Sequence, residues 1–158
     1  MFTILALCTG NATRSILAEA IVNRDGSDRV CAFSAGSNPI GVVHPAAAIL
    51  FERRGIALNG YRSKSWAEFA APGAPEINLI ITLCPAVARE AAPRWPGRPL
   101  RTHWPIDDPA TAPPDQIDLA FQLAYHQLSA RINRFLALPV ERMSRSDLSR
   151  ELLQISRG

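Results

Sequence analysis

The stretch Phe2-Thr3-Ile4-Leu5-Ala6-Leu7-Cys8-Thr9-Gly10-Asn11-Ala12-Thr13-Arg14-Ser15 joins a short apolar run to a Gly-Asn loop and then to a helical pattern. The run from Phe2 to Leu7 predicts a buried strand of the kind that parallel sheets contain. Helical spacing takes over at about Ser15 and continues to Arg24. Strand, loop and helix in that order open a βαβ unit, which places the loop at the carboxyl edge of a parallel sheet, where open α/β folds bind ligands.

The alternation continues outward from this stretch. Arg29 to Ser34 reads as a second strand, within which Cys31 is expected to point into the core. A helix follows from Pro45 to Arg54, with Pro suited to its first turn and Gly55 to its end. Ile77 to Leu83 is a third strand, and Leu100 to His103 a short fourth. Leu119, Leu123, Leu128, Ile132, Phe135 and Leu136 recur at helical spacing and predict a helix from about Asp115 to Leu138, ended by Pro139. A last helix is expected from Ser146, as its cap, to Ile155. Pro72 to Pro75 and Pro93 to Pro99 are short loops between elements. These elements predict a single α/β/α domain of three layers spanning residues 1–158.

Composition excludes several classes of function. Of 158 residues, 47% are hydrophobic and 20% charged, which suits a soluble globular protein and predicts no membrane span. The net charge of +3 comes from scattered arginines rather than a stripe, so no nucleic-acid partner is expected. A basic field still draws in small oxyanions. Phe2 to Leu7 lacks a basic leader and is too short for a signal peptide, so the cytoplasm is the expected compartment. The three cysteines are odd in number and widely spaced, which suits thiols kept reduced. His44, His103 and His126 show no paired ligand spacing, so no metal and no tightly bound cofactor are expected. His44 is expected to cap or pack at the start of the second helix. Gly10 is followed by no Gly-Lys-Ser/Thr, and a nucleotide loop is not indicated.

The chemistry concentrates at Cys8. Backbone N–H groups of Thr9, Gly10, Asn11, Ala12 and Thr13, with those of the helix start, make a cradle for a tetrahedral anion. Such a cradle and a nearby Arg favour the thiolate form of a cysteine. Arg14 supplies a planar fork for two oxygens of the anion. Ser15 can donate a hydroxyl hydrogen bond to the sulfur. Cys-x5-Arg-Ser thus contains a nucleophile, an oxyanion clamp and a thiolate stabiliser.

With Leu17-Ala18-Glu19-Ala20 in the helix, this motif resembles the low-molecular-weight protein tyrosine phosphatase family, and more closely its arsenate reductase branch. Further matching segments are Ser34-Ala35-Gly36, His44-Pro45, Tyr61-Arg62-Ser63-Lys64-Ser65, Ile81-Thr82-Leu83-Cys84, His103-Trp104 and Asp108-Pro109-Ala110. The resemblance implies a four-stranded parallel sheet in the order 2-1-3-4. It also implies that Asp108, directly before a Pro, is the general acid, a role worth about 10²–10⁴-fold. Asp107 is expected to be a solvated turn residue. Cys84 ends the third apolar run, so a 2-1-3-4 sheet would bring it to the crevice of Cys8.

Cys84 bears on the type of reaction. Reduction of arsenate takes two electrons, which a second thiol can complete, whereas a phosphatase needs only water. Relay members of the family carry a third cysteine just before a Pro, and here the matching stretch is Glu90-Ala91-Ala92-Pro93. The expected reductant is therefore external: glutathione with glutaredoxin, mycothiol or thioredoxin. Phosphate or sulfate would fit the same loop as arsenate. Two other functions remain open on these residues. One is phosphatase action on phosphate monoesters, weakened because Ala110-Thr111-Ala112 stands where that branch places tyrosines. The other is a non-catalytic oxyanion-binding or sensing module. His103 and Trp104 could shape the pocket rim, or Trp104 could be ordinary core.

Overall fold

The first strand runs further than its apolar letters suggest. In a computed structural model describing residues 1–158, β1 spans Phe2–Cys8 and carries the sulfur on its last residue. The elements that follow are α1 (Arg14–Asp25), β2 (Val30–Gly36), α2 (Pro45–Arg53), β3 (Leu79–Thr82), α3 (Pro85–Arg89), β4 (Leu100–His103), α4 (Ile117–Leu136) and α5 (Arg145–Ser156). The strands form one sheet in the order β2-β1-β3-β4, every neighbouring pair parallel. Since β2 and β3 lie on opposite sides of β1, the chain reverses direction across the sheet there. A crevice opens at the carboxyl ends of β1 and β3 as a consequence.

Both faces of the sheet are covered, which is why its strands read as continuous apolar runs. Ile4 and Ala6 of β1 pack with side chains of α1, α2, α4 and α5, among them Leu17, Phe51, Tyr125, Leu128 and Leu152. Leu5 and Leu7 join a thinner layer formed by Phe69, Val87 and Trp95. Trp104 is fully buried in the larger core and does not shape a pocket rim.

The structure departs from sequence expectation in several places. Leu119 and Leu123 are exposed, and α4 buries Phe121, Ala124, Tyr125, Leu128, Ile132 and Phe135 instead. Two stripes at i, i+4 spacing compete on this helix, and the aromatic one reaches the sheet. Its ends are also trimmed, with a 3-10 turn over Pro114–Gln116 preceding it. Cys31 is only half-buried, its sulfur 3.6 Å from Thr3 Oγ1, because Val30 and Ala32 take the core-facing positions of the edge strand β2. Ser144 caps α5, its Oγ accepting from the Asp147 N–H at 3.1 Å, so Ser146 is the second residue of the helix and not its cap. Ser144-Arg145-Ser146-Asp147 places an acidic residue at the third helical position, in the manner of a capping box. β3 is shorter than the apolar run, and α3 was not foreseen because a single turn after Pro85 carries no periodicity.

Candidate active site

The loop between β1 and α1 turns its carbonyl groups outward. Thr9 O accepts from Asn38 N (3.0 Å), Gly10 O from Ile40 N (2.9 Å), and Ala12 O from His44 N (3.0 Å). Ser63 Oγ also donates to Gly10 O at 3.1 Å. With the carbonyls held by this outer ring, the N–H groups of Gly10, Asn11, Ala12 and Thr13 have no partner among the backbone hydrogen bonds. Amides in this arrangement form an anion-binding concavity, reinforced by the first turn of α1, whose Thr13 cap makes no side-chain hydrogen bond.

Cys8 lies at the base of this loop and is 2% exposed. Its Sγ is 2.8 Å from Ser15 Oγ. The direction of that contact follows from the next residue along. Asn11 Oδ1 accepts from the Lys64 backbone N–H at 2.9 Å, so its Nδ2 is the group that donates to Ser15 Oγ at 2.7 Å and to Ser34 Oγ at 3.0 Å. Ser15 already accepts from Asn11, and its own proton is thereby free to point at the sulfur.

Asn11 is fully buried with φ of 46°, a left-handed conformation that Asn tolerates better than most side chains. Its side chain therefore scaffolds the loop, and only its backbone can face an anion. His44 caps α2, Nδ1 accepting from Ala46 N at 3.0 Å, while its backbone N–H braces the loop at Ala12.

Arg14 reaches across the crevice to the segment after β4. Its Nη1 donates to Ile106 O at 3.1 Å, and Nη2 is 3.6 Å from Asp108 Oδ2. Its Nε is buried without a hydrogen-bond partner in the protein, which leaves that edge of the guanidinium available to an oxyanion. Asp108 uses Oδ1 to cap the 3-10 turn Pro109–Thr111, accepting from Ala110 N at 3.0 Å, and keeps Oδ2 on the Arg14 side. Asp107 is exposed. His103 is engaged by Thr82, whose Oγ1 is 2.8 Å from its Nδ1.

Cys84 follows β3 and is 3% exposed. Its Sγ is 3.4 Å from Thr9 Oγ1, so this second buried thiol touches the loop at the residue that follows Cys8. Both packing and pairing bring this about: Leu83 N donates to Leu7 O at 2.9 Å, which sets the ends of β3 and β1 level. All three cysteines are free thiols.

The structure also adds residues that carried no assigned role in the sequence. Glu19, Ser34 and Lys64 are buried behind the loop, and Ser34 Oγ donates to Glu19 Oε2 at 2.6 Å. In the sequence they stood only within segments that carry the family resemblance, with no role attached to any of them.

Residues 3–147 match the model of the low molecular weight phosphotyrosine protein phosphatase family, and the chain belongs to that family. Its likeness within the family runs to arsenate reductases. The arsenate reductase of Bacillus licheniformis is 32% identical over 136 residues, which cover 84% of this chain and 94% of that one. A solved structure of an arsenate reductase in the phosphate binding state superimposes with a TM-score of 0.68 at 25% identity, covering 87% of this chain and 98% of the other. The tyrosine phosphatase Wzb from Escherichia coli K30, solved in complex with sulphate, shares the fold with a TM-score of 0.66 at 24% identity, over 86% of this chain and 97% of its own.

Proposed function

We propose that the chain is a cytoplasmic arsenate reductase, one domain over residues 1–158, that converts arsenate to arsenite at the expense of thiols. The observation that carries this reading is that a second buried thiol, Cys84, reaches the loop of Cys8 and lies against Thr9, the residue next to the nucleophile. Hydrolysis of a phosphate ester needs the first thiol alone. Reduction needs a second.

In the proposed cycle arsenate enters the loop, bound by the amides from Thr9 to Thr13 and by the free edge of Arg14. The Cys8 thiolate, stabilised by the Ser15 hydroxyl, attacks arsenic. Asp108 protonates the departing oxygen, which leaves as water. A second thiolate, from Cys84 or from an external thiol, then attacks the Cys8 sulfur. The S–As bond breaks with its electron pair passing to arsenic, so arsenite departs as As(III) and a disulfide remains. An external reductant, either glutathione with glutaredoxin, mycothiol or thioredoxin, returns the disulfide to thiols. The turn after Asp108 carries Ala110, Thr111 and Ala112 and no aromatic wall, which suits a small inorganic anion better than a phosphotyrosine.

The test is a parallel assay of arsenate and an aryl phosphate with each thiol system in turn. Arsenite is the expected product, dependent on thiol and abolished in Cys8→Ser. Substantial turnover by Cys8→Ser, or no arsenite with any thiol, would overthrow the assignment. Cys84→Ser separates the two routes: loss of turnover places Cys84 in the cycle, and full retention with glutathione and glutaredoxin places the external thiol directly on Cys8.

A further inference from the structure

Behind the loop lies a buried ion pair that the cycle above does not use. Lys64 Nζ is 3.9 Å from Glu19 Oε2, with side chains only 6% and 7% exposed. Two charges at that separation do not form a hydrogen bond, and a buried pair of poor geometry recovers little of its desolvation cost. Burial pushes the Glu19 carboxyl up from its ordinary range, and Lys64 is the largest influence pulling it back. Burial likewise pushes the Lys64 ammonium down, opposed chiefly by Glu19. As a device for stability the pair is weak. Its connections point elsewhere.

Glu19 Oε2 accepts from Ser34 Oγ at 2.6 Å. Ser34 Oγ accepts from Asn11 Nδ2, which also donates to Ser15 Oγ, which lies against the Cys8 sulfur. A hydroxyl can point its one proton at only one of its neighbours. While Glu19 is ionised it must accept, so Ser34 donates to it and can only accept from Asn11. Were Glu19 protonated, its own proton could fall on Ser34 Oγ, and the Ser34 proton would lose the carboxylate that now holds it. Lys64 is bound to the same chain at a second point, because its backbone N–H holds Asn11 Oδ1 and its carbonyl accepts from Gly36 N at 3.0 Å.

We propose that Lys64 is a positioning residue for Cys8: its buried charge keeps Glu19 an acceptor, Glu19 holds the Ser34 hydroxyl in place to receive one Asn11 Nδ2 proton, and Asn11 so anchored gives the other to Ser15, which lies against the sulfur. The proposal rests on Cys8 as the nucleophile. Arg62 also draws the Glu19 carboxyl down, but less than Lys64 does. Arg62 is engaged by Glu68 at 3.0 and 2.6 Å, and Lys64 Nζ donates its one hydrogen bond to Arg62 O at 3.0 Å. Tyr61 from the same segment and Asn23 from α1 border the pair and are neutral, burial raising the Tyr61 hydroxyl. On the sulfur's side the charged groups are Arg14 and Asp108, which face the crevice from the opposite wall.

The experiment follows alkylation of Cys8 by iodoacetamide as a function of pH, read on the Cys8 peptide by mass spectrometry in the whole protein. Lys64→Gln removes the charge and keeps a polar stem, and it is expected to move the Cys8 profile alkaline by about one pH unit, a roughly tenfold loss of reactive thiolate on the acid limb. Lys64→Arg should restore most of that shift. In a Ser34→Ala background, where the chain is cut, Lys64→Gln should add little, since coupled sites are not additive.

The proposal is overturned if the Lys64→Gln and wild-type profiles superimpose, or if the full shift persists in the Ser34→Ala background. Should Lys64→Gln fail to fold by circular dichroism, Ser34→Ala alone decides, and an unshifted profile in it overturns the proposal. Wild-type Cys8 that alkylates no faster than Cys31 at any pH is a different result, which removes the nucleophile assignment itself.

Discussion

Replacing Gly36 with alanine would place a methyl carbon 2.4 Å from the carbonyl oxygen of Thr9 and 3.0 Å from that of Cys8. Ordinary contact requires roughly 1 Å more room. The β2 end cannot retreat easily, because Gly36 is paired with Cys8 in the sheet, donates its N–H to Lys64 O and bridges to Ser65. The oxyanion loop must move instead. Forcing a carbon into a packed site costs about 1–3 kcal/mol, and at about 2–4 °C per kcal/mol for a chain of this length the melting temperature should fall by several degrees.

The effect on turnover should be larger than the effect on stability, since about 1 Å of misplacement in a reacting group can cost on the order of 10²-fold. The assay is arsenite formation with saturating thiol, reported as kcat/KM beside a thermal melt. Gly55→Ala is the control: Gly55 has φ of +68° and open space around it, so alanine there should cost stability through backbone strain and leave turnover unchanged. If Gly36→Ala turns over within roughly threefold of wild type, the argument that this close approach sets the loop is wrong.

Asp108→Asn should lower kcat for arsenate by about 10²–10⁴-fold, and an unchanged kcat would remove Asp108 as the acid. Leu128→Ala, at a fully buried core position, should cost about 2–5 kcal/mol in urea unfolding. Leu123→Ala, on the exposed stripe of the same helix, should cost no more than about 0.5 kcal/mol. The Arg29 guanidinium, hydrogen-bonded to Glu141, holds that carboxyl at about 2, below its ordinary value of 4.5. A depressed carboxyl contributes stability above its unfolded value and loses it as pH falls through the folded one. Glu141→Gln should therefore differ from wild type at neutral pH and converge with it near pH 2. The gap should be small because the pair is exposed, and a constant difference across that range would contradict the linkage.

Much of the fold could be read along the chain, element by element, wherever one local cause dominated. β1 and the start of α1 were legible because an apolar run, a Gly-Asn turn and a helical period succeed one another without interruption. α2 was legible from His44-Pro45 at its start and Gly55 after its end. Legibility failed where two local readings tied. Leu119–Leu123 and Phe121–Tyr125 are both four residues apart on α4, and only the position of the sheet decides which pair is buried. Ser144 and Ser146 are both competent caps, and the choice fell to the geometry of the Asp147 amide.

The candidate oxyanion loop was legible in the primary structure because all its members lie within eight consecutive residues, whereas its shape is held from outside by Asn38, Ile40, His44 and Ser63. The meeting of Cys84 with Thr9 beside Cys8, of Arg14 with Asp108, of Asn11 with Ser34 and Lys64, and of Ser34 with Glu19 was decided only by tertiary structure. Those contacts join residues up to 94 positions apart, as for Arg14 and Asp108 (108 − 14 = 94), through strand order and the register of a parallel sheet. Strand order is a property of how whole faces are buried, and no short segment carries it.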